Sequence, residues 1–430
     1  MNISKSIETE QKIFLFFKIY RMKKFTVYLF FIVLSINIYI DGYACTSAII
    51  TGKITPDGRP LLWKNRDTGE DNNRIQFFKG RKYDFIGVVN SPDTTGIVWM
   101  GTNSKGFSII NTASYNLKDD NVKEMDMEGK LMFDALSECK NLADFENFLN
   151  NRKKPLRVEA NFGVIDAEGG AAYYEVNNHK FVKVDANDPK IAPEGYLVYT
   201  NFSYTGRMNE GMGYIRYKTA NEILAKESQF ADITPQWIFN NLSRSFYHSL
   251  LGIDLMKPEF SPERGSGWMI DQDFIPRKTS TASIVIQGVR PEENPEMTIM
   301  WTILGYPPAG IAVPLWVKAG ENQPKVMIMT KSEESRNAFA CDNALALKNK
   351  TFSLKRGNGS KYMNFSLIYN TKTGGYMNKM KNAESSIFYV FKDSIEKWRK
   401  TGLNLEELSV LNKNASDIVE TTYAGIISKH

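Results

Sequence analysis

At 430 residues with a formal net charge of +6, the chain is long enough for one large domain or two ordinary ones. Its hydrophobic content of 42% and aromatic content of 12% supply a core and exclude a disordered or fibrous class. The lysines and arginines are scattered among acidic residues, which argues against a nucleic-acid partner.

The chain opens with a pattern of export. Arg21, Lys23 and Lys24 precede an apolar run from Phe25 to Ile40, and Ala44 supplies a small residue for a cut. Residues 1–44 therefore read as a signal peptide, with Met22 a more ordinary start than Met1, and the mature protein is expected to be periplasmic or secreted. Cleavage after Ala44 makes Cys45 the first residue. An α-amino group titrates at about 7.7–8.0, so it can serve as general base to its own thiol, and no histidine is needed. Two other outcomes stay open: an uncleaved anchor, and a lipoprotein signal that would acylate Cys45. The sequence Gly42-Tyr43-Ala44 is a poor match to the second, because it lacks an aliphatic first residue and carries a bulky Tyr. Unless Cys45 is lipidated, the mature domain has no membrane segment, and its oligomeric state is left open.

From Thr46 the pattern is strand, turn, strand, with Pro56-Asp57-Gly58 as the turn and an apolar run resuming at Pro60 to Trp63. Strands are expected at Tyr83 to Val89, Gly96 to Met100 and Phe107 to Asn111, with Asn103-Ser104-Lys105-Gly106 turning between the last two. Amphipathic helices follow near Lys130 to Cys139 and Leu142 to Asn150. A hairpin runs from Asn161 to Glu175, and a strand from Tyr196 to Thr200. Helical pattern returns at Gly213 to Ala225 and Pro235 to Leu250, then late strands at Thr281 to Gln287 and Met297 to Leu304. Sheet, helices and sheet again predict a layered α+β domain over residues 45–320. Residues 321–430 read as a helical C-terminal extension, with helices at Glu333 to Lys348 and Glu384 to Lys400 and no visible chemistry.

Only three cysteines occur, Cys45, Cys139 and Cys341, so an exported chain has gone without a disulfide framework. Cys139 and Cys341 read as structural. The three histidines, His179, His248 and His430, fall in no HExxH or other metal-ligand spacing, so no metal or cofactor is expected. A Cys45–His248 dyad remains an alternative. If Cys45 leads a strand, the hairpin brings Lys64-Asn65-Arg66-Asp67 back across from it. Asp67 can then hold the amine, while Lys64 or Arg66 favours the thiolate and contacts substrate. Asn111 and Asn201 each end an apolar run, and an amide side chain there suits an oxyanion site. On local pattern alone these residues also read as a charged turn and two turn formers.

Taken in order, Cys45-Thr46-Ser47, the Asp57-Gly58 turn, Asn65-Arg66-Asp67, Gly101-Thr102-Asn103-Ser104-Lys105-Gly106 leading to Asn111, the Asp166 to Glu175 hairpin, Thr200-Asn201-Phe202 and Arg216 form a set. The set resembles the cysteine N-terminal nucleophile hydrolases, in the linear-amide branch that contains choloylglycine hydrolase, penicillin V acylase and acyl-CoA:6-aminopenicillanic acid acyltransferase. The resemblance spans roughly residues 45 to 320. It implies a four-layer αββα fold, Cys45 as nucleophile, Asp67 positioning its amine, Asn111 and Asn201 assisting at the oxyanion, and Arg216 as the family's late arginine. The implied activity is hydrolysis of a linear, non-peptide C–N amide, the substrate being a small acylated amine such as an N-acyl amino acid. Acyl transfer and dipeptidase activity are alternatives within the superfamily, and a ligand-binding lipoprotein is the alternative outside it. One departure stands out: Lys64 replaces the arginine of the Arg-Asn-x-Asp run of bile-acid hydrolases, keeping the charge and losing the bidentate fork.

Overall fold

Strand β1 (Thr46–Ile50) begins one residue after Cys45 and is buried along its whole length, as is β2 (Leu61–Asp67). A strand buried on both faces needs cover on both sides, and the rest of the chain supplies it. The computed structural model describes residues 44–93, 95–329 and 336–427. The expected leader, apart from Ala44, lies outside them.

The remaining strands are β3 (Asn73–Phe78), β4 (Phe85–Asn90), β5 (Met100–Asn103), β6 (Ser108–Ala113), β7 (Ala160–Ile165), β8 (Ala171–Val176), β9 (Phe181–Asp185), β10 (Tyr196–Tyr199), the short β11 (Tyr247–His248), β12 (Ile253–Asp254) and β13 (Trp268–Ile270), β14 (Ser280–Gln287), β15 (Ile299–Leu304) and β16 (Tyr362–Asn364). One sheet has the order β10-β1-β2-β14-β15 and the other β3-β4-β5-β6-β7-β8-β9, and all their pairings are antiparallel. The two sheets meet face to face where β1 and β2 contact β6 and β7.

Helices α1 (Glu128–Glu138) and α2 (Leu142–Asn151) cover the outer face of the seven-stranded sheet. Leu131, Met132, Leu136, Phe145 and Leu149 bury their apolar stripe against Phe107, Phe162 and Tyr174. On the far side, α3 (Tyr214–Glu227) packs on β10. The other helices of that side are α4 (Pro235–Ile238), α5 (Phe339–Thr351), α6 (Phe365–Ile368), α7 (Gly375–Thr401) and α8 (Leu405–Ile427). The molecule is a mixed α+β sandwich with layers in the order αββα.

The helices after residue 320 share their core with the five-stranded sheet. Phe388 of α7 stacks on Trp301 of β15 at 3.9 Å between ring centroids. Arg244 and Glu384 form an ion pair at 2.7 Å with both side chains fully buried. Glu384 also accepts the Ala312 backbone N–H, and Arg244 donates to the carbonyls of Pro307 and Gly310. These residues supply the outer helical layer over β14 and β15.

Several elements differ from the sequence reading. The helix expected over Pro235 to Leu250 runs only to Ile238, continues as a wider turn over Phe239–Ser243, and gives way to β11. Tertiary polar contacts override the helical pattern there: Ser243 binds Trp63 Nε1 and Ser283, and Arg244 turns inward to Glu384. Pairing of β5 starts at Met100, later than the apolar run, and extends to Asn103, where the Asn103 side chain caps the expected turn by accepting the N–H groups of Lys105 and Phe107. Strands β3 and β9 were not anticipated; they are the two edges of their sheet, where alternation is weakest.

Candidate active site

The register of β1 against β2 places Thr46 opposite Asn65 and Ser47 opposite Lys64, so the residues after Asn65 reach back past the start of β1. The Cys45 sulfur lies 3.9 Å from the Asp67 carbonyl oxygen. Cys45, Lys64, Arg66, Asp67 and Asn111 line one cavity of about 440 Å³, together with Trp99 and Tyr115. A thiol in a cavity of this size has room for a small acyl amide beside it.

The two carboxylate oxygens of Asp67 are both engaged. Arg277 donates to Oδ2 from Nε at 3.1 Å and from its terminal nitrogen at 2.8 Å, and Ser280 donates to Oδ1 at 2.5 Å. The same terminal nitrogen of Arg277 donates to the Ala44 carbonyl at 2.7 Å. Burial would lower the Arg277 pKa, but the adjoining Asp67 overrides it and the guanidinium is held above its ordinary value. Arg277 thus spans the residue before the nucleophile and the carboxylate beside it.

Arg216 sits behind the nucleophile. Its guanidinium donates to the Cys45 carbonyl at 2.7 Å, to Thr46 Oγ1 at 2.6 Å and to Asn201 Oδ1 at 3.1 Å. Gly213, at the start of α3 with φ of 82°, makes this fit, because a Cβ there would stand 2.3 Å from an Arg216 nitrogen. Burial, reinforced by Arg277, pulls Arg216 down to about 9, which leaves it a cation at neutral pH. Asn201 donates from Nδ2 to the Ala113 carbonyl at 2.8 Å. Asn201 and Arg216 therefore tie the Cys45 backbone to the end of β6; they are not among the residues lining the cavity.

Asn111 is placed differently. Its Oδ1 accepts a hydrogen bond from Lys64 Nζ at 2.8 Å, which leaves the Nδ2 end as a donor without a protein acceptor among the described residues. Lys64 also donates to the Trp99 carbonyl at 3.1 Å. Burial lowers Lys64 to about 8, with the charge of Cys45 opposing the shift and Arg66 adding to it. Arg66 binds Asn73 and Asn90 and lies over the Trp99 ring at 5.1 Å, and burial lowers it to about 10. Both remain charged at neutral pH, and a neighbouring cation favours the thiolate form of a cysteine.

The alternative His248 partner is not assembled. Its ring packs edge-on against Phe274, its Nδ1 accepts the Leu251 N–H, and it does not line the cavity. Cys139 and Cys341 are buried free thiols, each pushed up to about 12 chiefly by burial, as expected of structural cysteines. Among the described residues no group of His, Cys, Asp and Glu is arranged to hold a metal ion.

Sequence reasoning missed Arg277 and Ser280. They stand in Arg277-Lys278-Thr279-Ser280, which looks like any polar turn before a strand. Glu128, Glu159 and Tyr115 were also missed as cavity residues, since each comes from a helix start or a loop with no motif around it.

No family model matches the sequence, and no curated protein matches it. Among solved structures, a variant of the conjugated bile acid hydrolase from Clostridium perfringens is similar at 13% identity and a TM-score of 0.41, covering 64% of this chain and 93% of that one. An N-acylethanolamine-hydrolyzing acid amidase ortholog from Caenorhabditis elegans is similar at 12% identity and a TM-score of 0.35, over 56% of this chain and 92% of that one. Penicillin V acylase from Agrobacterium tumefaciens is similar at 10% identity and a TM-score of 0.33, over 64% and 86%. All three are distant. The order of layers and the antiparallel sheets fit the N-terminal nucleophile hydrolase resemblance on their own.

Proposed function

We propose that this chain is an exported amide hydrolase that cleaves a linear, non-peptide C–N bond through a thioester on Cys45. The observation that carries the reading is the Cys45 sulfur set in a cavity with Asp67 beside it, Asn111 offering a free amide donor, Arg216 holding the Cys45 carbonyl and Arg277 holding the Asp67 carboxylate.

The reading requires cleavage after Ala44, which frees the Cys45 amine. That amine takes the thiol proton, the thiolate attacks the acyl carbon, and a C–S bond forms as the carbonyl becomes an oxyanion. Asn111 Nδ2 donates to the oxyanion. The C–N bond then breaks, and the ammonium of Cys45 returns its proton to the leaving amine. Water, deprotonated by the same amine, attacks the thioester; the C–S bond breaks, the carboxylic acid leaves, and the ammonium returns its proton to the sulfur. Asp67, locked by Arg277 and Ser280, holds the amine in place, while Asn201 acts through Arg216 on the Cys45 backbone.

The test is the intact mass of the exported protein before and after an acylating thiol probe, with Cys45→Ala as control, followed by hydrolysis of N-acyl amines. A mass that starts at Cys45, one label lost in Cys45→Ala, and amine release by the unmodified protein are expected. A lipid increment on Cys45, or a mature chain starting elsewhere with an unreactive Cys45, overturns the reading in favour of a binding lipoprotein.

A further inference from the structure

The cavity beside Cys45 is lined by two cations and five carboxylates: Lys64 and Arg66 against Asp67, Glu70, Asp126, Glu128 and Glu159. Both cations are already engaged. Lys64 is spent on Asn111 and Trp99, and Arg66 on Asn73, Asn90 and the face of Trp99. Asp67 is matched by Arg277. The other four carboxylates have no ion-pair partner among the described residues.

Glu128 is the most informative of them. It opens α1, is 8% exposed, and its carboxylate accepts the backbone N–H of Glu159 at 3.0 Å. Among the described residues no cation pairs with it, and burial raises it to about 7, with the charges of Asp126 and Glu159 adding to the effect. Glu159 accepts the backbone N–H groups of Leu117 and Lys118. A buried carboxylate is stable as an anion when a positive group lies against it, and the described residues provide no ion-pair partner for either. Tyr115 lines the same cavity, and an aromatic ring is a group that attracts ammonium and guanidinium.

We infer that the cavity selects amides carrying a cationic group, an ammonium or guanidinium seated against Glu128 and Glu159 while the scissile carbonyl lies at Cys45. The inference rests on the hydrolase reading for its reaction, not for its binding step. An anionic substrate would meet four unmatched carboxylates and be rejected by like charge.

The experiment uses the mature protein and matched N-acyl amides of equal length that end in an ammonium, a neutral alkyl group or a carboxylate, with the ending placed on the amine part in one series and on the acyl part in another. In one series kcat/KM for the ammonium compound should exceed that of its neutral match by roughly tenfold, the size of one partly desolvated ion pair. That ratio should fall toward one in Glu128→Gln and in Glu159→Gln, two variants that each keep a side-chain oxygen to accept the backbone N–H groups. A neutral or carboxylate compound turned over as well as the ammonium one in both series, or a ratio unmoved in both variants, overturns the inference. In parallel, calorimetry on Cys45→Ala with the ammonium amide and its neutral match reads binding without turnover. If the mature protein hydrolyses none of the amides, the hydrolase reading falls. The calorimetry then decides the cation site alone: preference for the ammonium compound lost in Glu128→Gln sustains it, and equal binding sinks it.

Discussion

Replacing Glu128 by Gln makes a prediction about folding stability with a definite sign. The folded chain holds this carboxyl at about 7 against an ordinary 4.5, mainly because burial disfavours its anion. A value raised by folding means that the folded state keeps a proton which the unfolded chain releases between those two pH values. The corresponding stability is fully present below about pH 4.5 and is lost as pH rises through 7. At about 1.36 kcal/mol per pKa unit, the loss reaches roughly 3 kcal/mol above pH 8. Gln imitates the neutral acid and titrates nowhere, so Glu128→Gln should match the original protein near pH 4.5 and exceed it by up to about 3 kcal/mol at pH 8. Urea unfolding at the two pH values reads this as a midpoint shift with an unchanged slope. An equal midpoint difference at both pH values, or a Gln variant less stable at pH 8, would show that the carboxyl is not an uncompensated anion and would refute the reasoning.

Glu384→Ala leaves the fully buried Arg244 without its counter-ion and should cost about 3–5 kcal/mol, whereas the paired change Arg244→Met with Glu384→Leu should recover much of it; chemical denaturation of the three variants checks both statements. Arg277→Met removes the two hydrogen bonds to Asp67 Oδ2 and should slow labelling of Cys45 by about tenfold or more, in line with loss of charge-assisted hydrogen bonds worth roughly 1.5–3 kcal/mol. Partial recovery in Arg277→Lys is expected from that account, and an unaltered labelling rate in Arg277→Met would contradict it.

The residues that declared themselves in the sequence did so because local pattern controls them. Ala48, Ile49 and Ile50 alternate with nothing polar, the Asp57-Gly58 turn follows, and Trp63 closes the hairpin; so Cys45 and Lys64 to Asp67 fall together by strand register alone. Asn111 was legible for the same reason, at the end of an apolar run. Arg277 and Glu128 were not, because each reaches the site by tertiary packing: Arg277 from the turn before β14, and Glu128 from the first turn of a helix on the other sheet's outer face. Asn201 was legible as a polar residue at a strand end, but not its bonds to Arg216 and to the Ala113 carbonyl, which come from distant parts of the chain. The turn that interrupts the helix after Ile238 was hidden too, since Ser243 and Arg244 find partners far along the chain at Trp63, Ser283 and Glu384.

Part of the layer that covers the five-stranded sheet is made last. The strand bearing Cys45 emerges from the ribosome at the start of the described chain, while Phe388, Phe391 and Trp398, which pack on Trp301 and Trp316, come from a helix near its end. Until that helix arrives, Arg244 has no Glu384 and two tryptophans lack their cover. Nucleophile and this part of its sheet's cover are therefore separated in time by almost the entire synthesis, and a ribosome that stops before α7 releases a chain in which Trp301 and Trp316 are without these rings and Arg244 is without Glu384.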